Sequence, residues 1–90
     1  MTDYTLGCIL KRMYDSAPEG YKVASIHIFG IYYADRISNG IGQIKEIIKV
    51  SELPRSYHTE VAKGVKLSDC VLLTDSVAKQ IQKIETEIVG

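Results

Sequence analysis

An all-α fold, a compact bundle of about five helices, follows from three features of the chain. Apolar residues recur at helical spacing in three separated stretches: Leu6/Ile9/Leu10/Met13, Ile44/Ile47/Ile48 and Val77/Ile81/Ile84/Ile88. Turn-formers fall between them, at Pro18 and Gly20, at Asn39-Gly40 and at Pro54. The 90 residues, 46% hydrophobic and 24% charged, suit one modest core rather than two or a disordered chain. A single domain spanning residues 1–90 is therefore expected.

Residues 3–14 form the first predicted helix, capped by Thr2 or Asp3. Gly7 inside it costs roughly 1 kcal/mol relative to alanine, a cost that close helix packing offsets. Residues 15–20 are a turn by composition. In YKVASIHIFGIYYADRIS, residues 21–38, Val23, Ile26, Gly30, Tyr33 and Ile37 fit one helical face. The run 26–33 is nevertheless rich in β-formers, so a short strand at 22–29 stands as the alternative. Length favours a largely buried helix that serves as the central post of the core, with Asn39-Gly40 as its stop.

From Gln43 to Lys66 the pattern is helix, turn, helix. Pro54 lacks an amide proton and drives Leu53 out of helical geometry, while suiting the start of the next helix itself. Tyr57 and Val61 then share a face, and Gly64 is placed to end the segment. Two short helices around an apolar elbow at Leu53 make a helix-turn-helix, whose second helix is the usual DNA reader. Beyond it, Val65–Leu73 fits either a brief helix or a strand. Residues 75–89 carry the cleanest helical stripe, with Thr74, Asp75 and Ser76 as possible caps. That stripe of Val77, Ile81, Ile84 and Ile88 suits either docking on the chain's own core or a homodimer seam.

The segment Ser56-Tyr57-His58-Thr59-Glu60-Val61-Ala62-Lys63-Gly64-Val65-Lys66-Leu67 resembles a family of small bacterial helix-turn-helix-like domains of uncharacterised role. Ser56, Tyr57, Glu60, Lys63, Gly64 and Leu67 carry the likeness. Upstream, Ile26-His27-Ile28-Phe29-Gly30-Ile31 followed by Tyr33-Ala34-Asp35 is similar to the same family, and together the matches cover roughly residues 18–72. The resemblance implies a nucleic-acid-binding role. More distantly the chain resembles repressor-type helix-turn-helix proteins. It departs from them at Ile48, where they place a small residue, and at Glu52, where glycine is common.

Net charge is zero, yet it is unevenly spread. Residues 42–67 hold five basic side chains (Lys45, Lys49, Arg55, Lys63, Lys66) against three acidic ones, and residues 68–90 hold two against four. On the predicted reading unit, Arg55, Ser56 and Lys63 are candidates for phosphates, His58 and Thr59 for base edges, and Lys45 and Lys66 for further nucleic-acid contacts. Tyr57 is a candidate for stacking on a base, although its spacing with Val61 fits a core residue with a surface hydroxyl. Glu60 repels phosphate unless it pairs with Lys63 or Arg55 or accepts from a cytosine amine.

Other chemistry finds little support. His27 lies in an apolar run and reads as a satisfied helix-face residue. The two histidines and two cysteines show no ligand spacing, so no metal and no cofactor are expected. Cys8 and Cys70, each among apolar neighbours, read as buried free thiols. No phosphate loop or catalytic triad context is present, and no enzyme is expected. No apolar run approaches the roughly 20 residues that span a bilayer, and the N-terminus lacks the form of a secretion signal; a cytoplasmic protein is expected. The leading expectation is a DNA-binding (or RNA-binding) regulator or accessory protein acting as a homodimer through helix 56–64. The rival is a protein–protein interaction or oligomerisation module of the same shape, for example in phage defence or counter-defence.

Overall fold

The computed structural model describes all residues 1–90. Its helices are α1 (Asp3–Ser16), α2 (Lys22–Tyr32), α3 (Ile41–Ser51), α4 (His58–Leu67) and α5 (Asp75–Val89), with 3-10 turns at Ala34–Arg36 and Arg55–Tyr57. The strand alternative at 22–29 is not adopted, since those residues lie within α2. No helix is long and apolar enough to cross a membrane.

Thr2 caps α1, its Oγ1 accepting from the Thr5 N–H at 3.1 Å. The predicted stripe of Leu6, Ile9, Leu10 and Met13 is buried. At the far end, Lys22 Nζ donates to the carbonyls of Tyr14 and Ala17 at 3.0 Å, placing a cation at the negative end of the helix. Gly7 has the packing role its cost demands. A Cβ there would stand 2.5 Å from Val50 Cβ and 2.9 Å from the Ile47 carbonyl, so its absence lets α1 lie directly on α3.

A second glycine crossing joins α2 to α4. A Cβ on Gly30 would stand 2.6 Å from the Val61 carbonyl, and one on Gly64 would collide with the His27 carbonyl. Gly64 is therefore not the helix stop its local sequence suggests: α4 runs through it to Leu67. Ile26, Phe29 and Val61, all fully buried, fill the space around this crossing.

The 18-residue helix expected over 21–38 breaks at Tyr33. There the chain tightens into the 3-10 turn, while the Tyr33 N–H still bonds the Phe29 carbonyl at 3.0 Å. The turn tucks Ile37 against the core, 6% exposed, and directs the chain toward α3. The tyrosine ring packs on Phe29 with centroids 5.2 Å apart, and its hydroxyl donates to Glu85 Oε2 at 3.1 Å. Burial, with the adjacent carboxylate, pushes that hydroxyl's pKa up. Nor is α2 enclosed on most sides, because Val23 is exposed and Ile28, Ile31 and Tyr32 are only part-buried. Gly40, expected to close the preceding helix, instead precedes α3 with a left-handed φ of 71°.

Between α3 and α4 the elbow forms as expected. Leu53 packs against the core, its N–H bonded to Ser51 Oγ at 3.2 Å, and Ile48 is 1% exposed. Glu52 takes the left-handed conformation at φ 64°, which costs a non-glycine residue roughly 1–2 kcal/mol. Its side chain is exposed, with a 3.6 Å contact to Lys11 as its ion pair. Glu52→Gly is expected to raise stability by up to about 1 kcal/mol, since glycine's greater freedom in the unfolded chain offsets part of the relief. A denaturant midpoint moving upward with unchanged slope would record it.

Thr74 caps α5, its Oγ1 accepting from the Val77 N–H at 3.2 Å. The stripe proposed as a dimer seam is used first within the chain: Ile81 is 2% exposed, and Val77, Ile84 and Ile88 pack half-buried against the core. Arg12 to Glu87, at 2.8 Å, ties the helix to α1. Of the segment Val65–Leu73, considered for a brief helix or a strand, residues 65–67 complete α4, and the rest forms a turn and an irregular link. Cys70 is consequently exposed rather than buried, and Cys8 is half-buried.

Candidate nucleic-acid interface

The positively charged residues of 42–67 separate into two adjoining surfaces. On α3, Lys45 and Lys49 lie one turn apart on the solvent face, because Ile44, Ile47 and Ile48 claim the other side for the core. Opposite them the chain leaves Pro54 in a 3-10 turn that carries Arg55 and Ser56. Between these walls lies an open groove of about 720 Å³, lined by Lys45, Lys49, Arg55, Ser56 and His58, with Glu46 and Glu52.

Lys45, Lys49 and Arg55 take no part in the five ion pairs of the chain, whereas Glu52 is matched by Lys11. Three uncommitted cations thus face a groove with one uncommitted carboxylate, Glu46. The start of α4 is braced to the turn: His58 Nδ1 donates to the Arg55 carbonyl at 2.9 Å, and Thr59 Oγ1 donates to the Ser56 carbonyl at 3.0 Å. These bonds leave His58 Nε2 as the free ring nitrogen.

The second surface is the outer face of α4. Thr59, Lys63 and Lys66 are exposed there at helical spacing. Glu60, the carboxylate that threatens any phosphate contact, is engaged twice. Its Oε1 accepts from His27 Nε2 at 2.7 Å and its Oε2 from Lys63 Nζ at 3.1 Å. Those two hydrogen bonds, His27's first, hold the carboxyl below its usual pKa. His27 is thus the satisfied helix-face residue its apolar setting implied, and it links α2 to α4. Lys63 is partly committed to Glu60, so it is less available to a ligand than Lys66.

Since Glu60 has a depressed folded pKa, its contribution to stability is fully present above the ordinary glutamate range. It is lost as pH falls through the lowered value. Glu60→Gln is expected to melt below wild type at neutral pH and to converge with it in acid below the carboxylate range. Thermal melts across pH check this, and a gap that persists in acid would contradict it.

Of the residues expected at the interface, Lys45, Arg55, Ser56 and His58 come together in the groove, while Thr59, Lys63 and Lys66 share the adjoining helix face. Tyr57 stands apart, half-buried with its ring 6.1 Å from that of Tyr14, so its packing role outweighs base stacking. Lys49, part of the local charge excess but not among the expected contacts, joins the groove as well. Its place one helical turn beyond Lys45 was the available signal.

Comparison with known families decides the wider kinship: the model of the HTH-like domain family matches residues 2–74. The chain belongs to that family. The match takes in α1 to α4, the elbow and both charged surfaces of this HTH-like domain, and it ends as α5 begins. No curated protein and no solved structure matches the chain.

Proposed function

We propose that this HTH-like domain binds nucleic acid, duplex DNA before RNA, as a regulator or accessory factor. The observation that carries the proposal is the groove beside the start of α4, with Lys45 and Lys49 on one wall and Arg55 on the other, all three free of carboxylate partners. Spacing cations across a concave surface suits a phosphodiester backbone, and phosphate contacts place a reader without specifying sequence. With that backbone seated, Ser56, His58 and Thr59 lie at the edge from which polar side chains reach bases. Lys66 extends the phosphate track along α4.

One copy offers few such contacts for a protein of zero net charge. Homodimeric binding, which doubles them, belongs to the same proposal. Val77, Ile84 and Ile88, half-buried on α5, are the stripe residues with surface left to share.

The test is affinity for a mixed-sequence duplex across a salt series, with light scattering on the same sample. The three groove cations, before any contribution from Lys66, predict a log–log salt slope of about −2.7 per copy. That slope corresponds to a loss of roughly 40-fold between about 50 and 200 mM salt. No binding at the low-salt end would sink the proposal.

A further inference from the structure

Away from the basic groove, the C-terminal end of α2 carries a different surface. After Lys22, α2 carries no Asp, Glu, Lys or Arg, and its one imidazole, His27, is taken up by Glu60; so apolar a helix is ordinarily covered on most sides. Here one flank is open. Ile31 and Tyr32 are only half-buried, and the link after α4 brings Val71 and Leu72 beside them around a shallow groove of about 350 Å³. Leu72 is 97% exposed, and Val71 40%. The Tyr32 ring is held edge-on against Tyr33, with centroids 4.8 Å apart, which fixes it as a wall of the groove. Leu72 and Val71, exposed beside Ile31 and Tyr32, gather apolar side chains at one groove, the kind of surface an interaction site uses.

The rim of the groove says what it takes. Its charged lining residues are Asp35 and Asp69, and no basic side chain lines it. Two exposed carboxylates repel nucleic acid and an anionic lipid surface. They also disfavour the same patch of a second copy, since a two-fold contact would set acid against acid. We propose that this groove docks a polypeptide segment of another protein that presents leucine-like side chains flanked by lysine or arginine. Leu72 and Tyr32 are the apolar anchors, and Asp35 and Asp69 select the basic flanks. The inference is independent of nucleic-acid binding, which uses other residues.

The test is selection of short random peptides on the immobilised full chain, in parallel with its Leu72→Glu variant. So exposed a side chain can be replaced without unfolding the domain, and a thermal melt verifies this. Peptides enriched on wild type are expected to combine apolar residues with lysine or arginine. The strongest, synthesised, should bind Leu72→Glu about tenfold or more weakly. Asp35→Asn/Asp69→Asn should weaken it and flatten its salt dependence, with DNA affinity unchanged or improved by loss of the two carboxylates. The proposal is overturned by enrichment equal on wild type and Leu72→Glu, by acidic enriched sequences, or by no enrichment. Wild type that self-associates through Leu72, monomeric after Leu72→Glu, would give the groove to a second copy instead.

Discussion

Gly64→Ala is expected to lower the melting temperature by ~10 °C or more, an unusual penalty for adding one methyl group to a helix. The new Cβ would collide with the His27 carbonyl and stand 3.0 Å from Gly30 Cα, both backbone atoms of the crossing helix α2. Backbone cannot swing aside as a flexible side chain does, so α2 and α4 must separate. Overpacking of this kind costs about 3 kcal/mol at its upper end. Alanine's better helix propensity returns about 1 kcal/mol. The net loss of roughly 2 kcal/mol moves the melting point of a domain this size by ~10–15 °C. Gly42→Ala supplies the contrast, because a Cβ there has nothing within 4 Å and α3 gains propensity without a clash. The two variants should shift in opposite directions by circular dichroism. Melts that move together would show that the close crossing does not hold the domain.

The largest effect on binding is expected from Lys45→Ala/Lys49→Ala. This pair removes two of the three uncommitted cations in the groove and should reduce the magnitude of the salt slope by about 2 per copy. Affinity at low salt should fall by at least about tenfold, at a modest 1 kcal/mol or so per lost phosphate contact. Lys79→Ala/Lys83→Ala changes the net charge identically but alters α5, outside the family-matched domain. It should leave the slope unchanged. Equal losses from both pairs would mean that binding follows bulk charge rather than the groove.

Most of the architecture was legible because it rests on local pattern. The stripes of α1, α3 and α5, the Thr2 and Thr74 caps and the Pro54 elbow each follow from a few neighbouring residues, and each formed. What the chain concealed depends on distant partners. Gly64 satisfies the local rule for a helix stop, but its contact with His27 and Gly30, more than thirty positions away, keeps α4 going. The break at Tyr33 likewise serves packing on Phe29 and a hydrogen bond to Glu85 on α5. Apolar neighbours in the chain suggested burial for Cys70, yet the link that holds it runs along the surface.

At the interface the same division holds. The excess of cations over 42–67 marked the right region, and Glu60 found Lys63 at the expected helical spacing. Its shorter hydrogen bond, from His27, comes from another helix and leaves no mark in the local spacing. The groove arises only when the elbow folds the 3-10 turn beside α3, which is why Lys49 carried no special weight in the linear sequence.

The most direct test of nucleic-acid binding through this surface is an amide chemical-shift titration of the full chain with a mixed-sequence duplex at low salt. The largest shifts are predicted at Lys45, Lys49, Arg55, Ser56, His58 and Thr59, with smaller ones along Lys63 and Lys66. Shifts confined to residues 31–35 and 67–73, or none at all, would contradict the account.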